Sequence, residues 1–105
     1  MAETKENQLD KEFYERADAH ISLANGYINE KVHPGVASNS LMYAASRFNA
    51  WIAAANFTNG EALAKEKDEI LKFYTEQYRL MLEENLENYA TNYDLYMGVS
   101  KEESK

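Results

Sequence analysis

The residue best suited to chemistry is Arg47, because it is the only charged side chain in the middle of the chain. Its guanidinium is positively charged at any working pH, so it needs acceptors or water. Tyr43 and Trp51 stand four residues to either side, which on a helix places all three on one face and lets the rings stack on the cation. Three interpretations stay open: an ion pair with Glu15 or Asp18 or a hydrogen bond to a tyrosine, a site for a small anion, or a side chain reaching solvent.

The two histidines, His20 and His33, are the remaining candidates for ligand binding or proton transfer. His20 lies beside Ala17 and Ile21 on the stripe that we predict faces inward, where a lone histidine is more often a packed residue. The predicted helices contain no Glu-x-x-His pair, of which a di-metal bundle site needs two. We therefore expect no metal and no cofactor, and we include His20 with Arg47, Tyr43 and Trp51 in the hypothetical anion site.

No group of residues has the pattern of a catalytic centre. The chain has no cysteine, which excludes thiol catalysis, thiolate metal sites and disulfides. Ser38 and Ser40 have no recognisable base and orienting acid to activate them. An enzyme would have to use Tyr, His or Glu acid–base chemistry without metal or thiol. The sequence thus predicts no catalytic residue and leaves enzymatic activity open, with the balance against it.

The composition of the chain limits the kinds of partner that it can bind. A net charge of -7 opposes binding to nucleic acid or to anionic membrane surfaces, which needs clustered Lys and Arg. Residues 1–10 hold no apolar stretch of the kind found in secretory signals. The apolar stretch from Leu41 to Phe57 contains Arg47 and is shorter than the roughly 20 residues of a membrane span. We expect a cytoplasmic protein that contacts neither nucleic acid nor membrane.

The elements that must position these residues are helices. Apolar residues recur at three- and four-residue steps in the first third of the chain, at Leu9, Phe13, Ala17, Ile21, Ala24 and Ile28, and predict a helix over residues 8–30 with an alternative end near Asn25. The run His33-Pro34-Gly35 breaks it, and a second helix is predicted over 37–56. Thr58 and Glu61 fit a capping box that starts a third helix over 59–96. Residues 8–97 form one predicted domain between flexible tails, 1–7 and 98–105.

The C-terminal part of the third helix has the spacing of a seam against another helix. From Leu82 the steps to Leu86, Tyr89, Tyr93 and Tyr96 are four, three, four and three residues, as in a heptad pattern. At 1.5 Å per residue the third helix would span roughly 55 Å, against roughly 30 Å for each of the others. Either a second copy covers the excess, or the helix breaks near Asn88 or Asn92 and a short fourth helix folds back.

The middle helix is nearly free of charge. Residues 1–31 hold seven acidic and four basic side chains, residues 61–105 hold eleven and six, and residues 32–60 hold only Arg47. A helix without a charged face is normally surrounded by protein or lipid, and two helices of the same chain cover two of its faces at most. The predicted fold is therefore all-α, a helical hairpin or three-helix bundle with a long C-terminal helix, completed by formation of a homodimer.

Two stretches resemble a known family. Residues 13–21, Phe-Tyr-Glu-Arg-Ala-Asp-Ala-His-Ile, and residues 43–50, Tyr-Ala-Ala-Ser-Arg-Phe-Asn-Ala, are similar to short proteobacterial proteins catalogued as a domain of unknown function. The resemblance covers roughly residues 10–90. It implies a small helical bacterial protein and brings no activity, substrate or site residue with it. On the residues alone, the expected role is that of a dimeric helical module that interacts with another protein or serves a structural purpose.

Overall fold

The computed structural model describes residues 2–98, and side chains from Lys11 onward. Within these residues the chain forms five helices and no strand, which confirms the all-α prediction. In chain order they are α1 (Ala2–Gly26), α2 (Pro34–Ala54), α3 (Gly60–Lys65), α4 (Lys67–Thr91) and α5 (Tyr93–Met97).

The first helix is displaced toward the N-terminus of the chain relative to the prediction. It begins at Ala2, so it includes residues 2–7, which the sequence assigned to the N-terminal tail. It ends at Gly26, which agrees with the alternative end near Asn25 and corrects the end at residue 30. The following connection is stabilised by Asn29, whose side-chain oxygen accepts hydrogen bonds from the backbone N–H groups of Lys31 and Val32 at 2.7 and 2.8 Å. Such an Asx turn competes with helix and directs the chain out of it.

The second helix begins at Pro34, three residues before the predicted start. Proline suits the first helical position because its fixed φ is already helical and its missing N–H would have no helical acceptor there. His33 caps this end: its Nδ1 accepts from the N–H of Gly35 at 3.1 Å, and its carbonyl accepts from Val36 and Ala37 at 2.9 and 3.2 Å. The same Pro34 that was predicted to break one helix therefore opens the next.

The predicted third helix, 59–96, is divided into three. Asn59 is the N-cap of α3, with its side chain accepting from the N–H of Ala62 at 2.8 Å, so the cap is one residue later than the predicted Thr58. Glu66, at φ -97° and ψ 4°, separates α3 from α4. Asn92, at φ -112° and ψ 34°, separates α4 from α5, at one of the two positions that the alternative interpretation named.

Asn92 interrupts the helix because its side chain forms hydrogen bonds with Asn88, in the last turn of α4. Its Nδ2 donates to the carbonyl of Asn88 at 3.1 Å and to the side-chain oxygen of Asn88 at 2.9 Å. Further on, α5 ends at Gly98, whose φ of 60° is left-handed and whose N–H donates to the carbonyl of Asp94 at 3.0 Å. Glycine adopts this conformation without the steric cost of a Cβ. The tail predicted after Gly98 lies outside the described residues.

The described residues fall into two units that divide inside the last turn of α2. One runs to Ile52 and the other begins at Ala53. In the first unit Ala37 is the one buried apolar residue of the described part, at 5% exposure, and in the second unit it is Ala53, at 9%. The single domain over residues 8–97 stays a prediction.

The inward stripe of α1 is only partly covered. Ala17, Ala24 and Ile28 are half-buried, whereas Phe13 and Ile21 are about half exposed. The side chain of Leu9, predicted on the same stripe, lies outside the described residues. Within α1 the small residues of this stripe are therefore partly shielded, while its large ones, Phe13 and Ile21, keep about half of their surface in water.

Candidate functional site

Arg47 lies on α2 with Tyr43 and Trp51 one turn before and after it, as the spacing predicted. All three side chains are exposed, Tyr43 to 66% and Trp51 to 64%. This face of α2 thus combines one cation with two large aromatic surfaces that the chain itself leaves in contact with water.

The guanidinium of Arg47 forms no ion pair and no hydrogen bond with any part of the chain that the structure describes. The predicted pairing with Glu15 or Asp18 is therefore corrected. The physical reason is exposure: a guanidinium in water is already solvated, so no carboxylate is needed to compensate for its charge.

The indole of Trp51 contacts the ring of Phe48, with ring centroids 6.0 Å apart and the planes tilted by 32°. Phe48 is itself 61% exposed. The hydroxyl of Ser46 donates a hydrogen bond to the backbone carbonyl of Tyr43 at 2.9 Å, so it is bound within its own helix. The apolar surface beside Arg47 is thus continuous from Trp51 to Phe48.

The two histidines lie outside α2. His20 lies on α1 and is exposed, which corrects its predicted place on the inward stripe. The reason is that only Ala17 and Ala24 are half-buried in the described part of α1, so the neighbouring position of His20 remains in water. His33 uses Nδ1 to cap α2, a role that the sequence did not indicate. The pair His33-Pro34 could have predicted this role, because the residue before a proline at the first helical position is the N-cap.

A second exposed apolar surface follows the C-terminal half of α4 and α5. We call it the tyrosine seam, and its members are Leu82, Leu86, Tyr89, Tyr93 and Tyr96, with exposed fractions from 41% to 60%. The rings of Tyr89 and Tyr96 lie 4.9 Å apart, so the seam continues past the interruption at Asn92. Glu83 and Glu87 lie one turn apart on α4, at helical positions directed away from the centre of the seam.

The ion pairs of the described residues centre on Arg79 in α4. Its Nη2 and Nε bind the two carboxylate oxygens of Glu76 at 2.8 and 3.2 Å, and its Nη1 binds Glu83 at 3.3 Å. These hydrogen bonds and the charge of Arg79 lower the pKa of Glu76 below its ordinary value. Glu83 is therefore already engaged, whereas Glu87 has no partner among the described residues.

An open depression of about 360 Å³ lies in the second unit, at the end of α2 and along α3. It is lined by Phe57, Asn59, Glu61, Ala62, Lys65 and Glu66. None of the four residues of the predicted anion site lines it. Its charged side chains, Glu61, Lys65 and Glu66, are of both signs and are exposed.

No helix among residues 2–98 combines the length and the apolarity needed to cross a membrane. Within the same residues, no three His, Asp or Glu side chains lie close enough together to hold a metal ion.

These features define a small all-α protein with large exposed apolar faces in its described part. The chain belongs to the family described as "Protein of unknown function (DUF3144)", which matches residues 13–90. This confirms the resemblance inferred from residues 13–21 and 43–50.

A solved structure supports the fold. The chain is similar to the NMR structure of the protein NB7890A from Shewanella sp, with 37% sequence identity and a TM-score of 0.70. The similarity covers 85% of this chain and 94% of that one. No curated protein matches the sequence. The comparisons therefore establish the family and the fold of the chain, but they do not indicate a biochemical activity.

Proposed function

We propose that this protein is a helical interaction module that works in the cytoplasm as a homodimer and binds another protein through its apolar surface. One observation carries the proposal: Tyr43, Phe48 and Trp51 on α2, together with the tyrosine seam, are exposed to a degree unusual for large apolar side chains. Soluble monomers rarely expose contiguous apolar patches of this kind, and such patches usually mark protein interfaces.

The expected gain on association is large compared with the stability of a small domain. Covering a Leu, Phe or Met side chain completely is worth about 1.5–3 kcal/mol, and several such residues are involved here. Among the described residues only Ala37 and Ala53 are buried, so the single chain gains little stability from a core of its own. A second copy is the simplest partner because it is always present and supplies the same apolar faces.

The mass of the protein in solution tests the dimer. In sedimentation equilibrium we expect twice the 12.1 kDa chain mass, falling toward one chain mass on dilution. Trp51 is the only tryptophan, so its fluorescence reports on this face, and its emission should shift to longer wavelength as the dimer dissociates. A mass of one chain at every concentration, with emission typical of a solvated indole, would falsify the dimer.

A pull-down tests the protein partner. The wild-type chain and a Trp51→Glu variant are used as baits in parallel, because loss of a captured protein with the variant ties the capture to the α2 face. If both baits capture the same proteins, the binding surface lies elsewhere and the proposed role of the α2 face is wrong.

Arg47 supports a second candidate, the binding of a small anionic metabolite with help from Tyr43, Trp51 and His20. The supporting observation is the absence of a carboxylate partner for Arg47 among the described residues. Titration with inorganic phosphate, followed by Trp51 fluorescence, provides the test, with Arg47→Gln as the matched control. An equal response from both proteins would eliminate this candidate.

A further inference from the structure

From residue 82 to residue 97 the tyrosine seam is flanked by uncharged side chains. At about 100° per helical residue, the four acidic residues of this stretch all lie about 100° or more around the helix from the centre of the seam. The nearest of them is Glu83, which is bound to Arg79 of its own helix at 3.3 Å. The positions directly beside the seam are Asn85, Ala90, Asn92 and Met97. A second seam can therefore approach this one without bringing like charges together.

The two ends of the seam differ in the size of their side chains. The first half consists of Leu82 and Leu86, and the second half of Tyr89, Tyr93 and Tyr96. On a second seam that runs in the opposite direction, the leucine end of one copy meets the tyrosine end of the other, so large side chains face smaller ones. On a seam that runs in the same direction, rings would face rings and leucines would face leucines, which leaves the gap between the helices uneven.

We propose that, in the homodimer, the tyrosine seam packs in antiparallel orientation on the tyrosine seam of the second copy. Leu82 then packs against the partner subunit's Tyr93, and Leu86 packs against the partner subunit's Tyr89. Two-fold symmetry forms each contact twice. The inference rests on the proposed function, since it assumes a homodimer, and it specifies the surface and the orientation in which the two copies meet.

Arg79 gives a second reason for the antiparallel orientation. It precedes Leu86 by seven residues and therefore occupies the same heptad position. In a parallel pair of helices, equivalent positions face each other, so two Arg79 cations would meet at a cost in binding free energy. In the antiparallel pair, Arg79 lies at the end of the contact beside the partner subunit's Tyr96. Its guanidinium keeps its bonds to Glu76 and Glu83 there and can stack on the ring.

The exposed area of the seam is sufficient for a specific contact. Its five side chains are 41% to 60% exposed. Since a completely covered aromatic side chain buries about 150–250 Å², the seam offers on the order of 500 Å² per copy. Two copies would bury on the order of 1,000 Å², which is the lower end for specific interfaces. The seam can thus fix the orientation of the two chains, and the exposed face of α2 supplies a further part of the dimer contact.

Introduced cysteines test the orientation, because the chain contains none of its own. Leu82→Cys and Tyr93→Cys are mixed in equal amounts under mild oxidation, with one chain labelled with ¹⁵N. A disulfide needs two Cα atoms within about 7 Å, and the antiparallel seam brings these two positions of different chains together. Mass spectrometry should therefore show the mixed disulfide in about tenfold excess over either disulfide of a variant with itself, where random collision gives about twofold.

A charge placed on the seam tests the surface. Leu86→Glu buries a carboxylate in the proposed contact, so the dissociation constant of the dimer should rise about tenfold or more. Leu95→Glu is the matched control, because Leu95 is 74% exposed and lies about 140° around the helix from the centre of the seam. This control should leave the dissociation constant unchanged. If circular dichroism shows that Leu86→Glu loses helix, Leu86→Ala replaces it and should raise the constant about threefold or more.

The outcomes separate this interface from the dimer itself. An excess of disulfides of each cysteine variant with itself would mean a parallel pair and overturn the inference. A wild-type dimer without preferred crosslinks, or one that Leu86→Glu and Leu95→Glu weaken equally, also overturns it and leaves the proposed function intact. A monomeric wild type overturns the proposed function itself.

Discussion

The rings of Tyr89 and Tyr96 lie 4.9 Å apart although Asn92 interrupts the helix between them. Residues seven apart return to the same side of a helix after two turns, and the interruption does not remove this register. The ring contact therefore links α4 to α5 across Asn92, the residue at which the backbone departs from helical geometry.

Tyr89→Ala should therefore lower the free energy of unfolding by about 0.5–1.5 kcal/mol more than an equivalent loss of tyrosine elsewhere on the helix. Tyr78→Ala is the matched control, because Tyr78 also lies on α4, is 50% exposed and has no ring partner among the described residues. Urea denaturation of both variants measures the difference. Equal losses would show that the ring pair contributes nothing beyond the buried area.

Asn92→Ala should join α4 and α5 into one helix. The substitution removes the two hydrogen bonds to Asn88 that favour the non-helical conformation, and alanine has the highest helix propensity. Backbone ¹³C chemical shifts at residues 91–93 should become helical. Asn85→Ala, on the exposed surface of α4, serves as the control and should leave those shifts unchanged. Persistence of the interruption in Asn92→Ala would mean that packing, and not the side chain, imposes it.

Asn59→Ala should cost about 1 kcal/mol of stability, the usual value for a lost N-cap, because the N–H of Ala62 loses its acceptor. Thr58→Ala should cost only a few tenths of that amount, since Asn59 and not Thr58 caps α3. Thermal or urea unfolding compares the two variants. A larger effect at Thr58 would restore the capping box that the sequence suggested.

Arg79→Ala should raise the pKa of Glu76 toward its ordinary value, because the hydrogen bonds and the charge of Arg79 are what lower it. A lowered pKa in the folded state gives stability that is present above the pKa of the unfolded chain and is lost as the pH falls through the folded value. Carboxyl ¹³C titration by NMR measures the shift. Arg79→Lys keeps the charge without the two-point contact and should give an intermediate pKa. An unchanged pKa in Arg79→Ala would assign the shift to another cause.

Trp51→Glu should dissociate the proposed dimer and leave each chain helical, because a side chain that is 64% exposed in the single chain can be replaced by a charge at little cost. Ala53→Glu should instead unfold the chain, since it places a carboxylate at a position that is 9% exposed. Sedimentation and circular dichroism separate the two effects. Leu23→Glu, at an equally exposed position of α1, is the control, and the same dissociation in this control would argue against a specific role for α2.

Sequence periodicity predicted the positions of the helices but not where they start and stop. The stripe from Phe13 to Ala24 and the apolar run around Phe48 required helices, and these helices exist, whereas Ile28 lies beyond the end of α1. Their ends depend on single hydrogen bonds, such as those accepted by His33 and Asn59 and those donated by Asn92. These bonds are worth about 1 kcal/mol each, and several neighbouring residues could form them equally well in a linear chain.

The sequence by itself determined the helical class, the family and the absence of charge around Arg47, because these follow from residue types and their spacing. Only the tertiary structure decided that Arg47 is unpaired in the described chain, that His20 is exposed and that the third predicted helix is divided. The first two outcomes depend on which surfaces the chain covers, whereas the division at Asn92 depends on the hydrogen bonds of that side chain to Asn88. Residue spacing specifies the face of a helix on which a side chain lies, but what meets that face is set by contacts between distant residues.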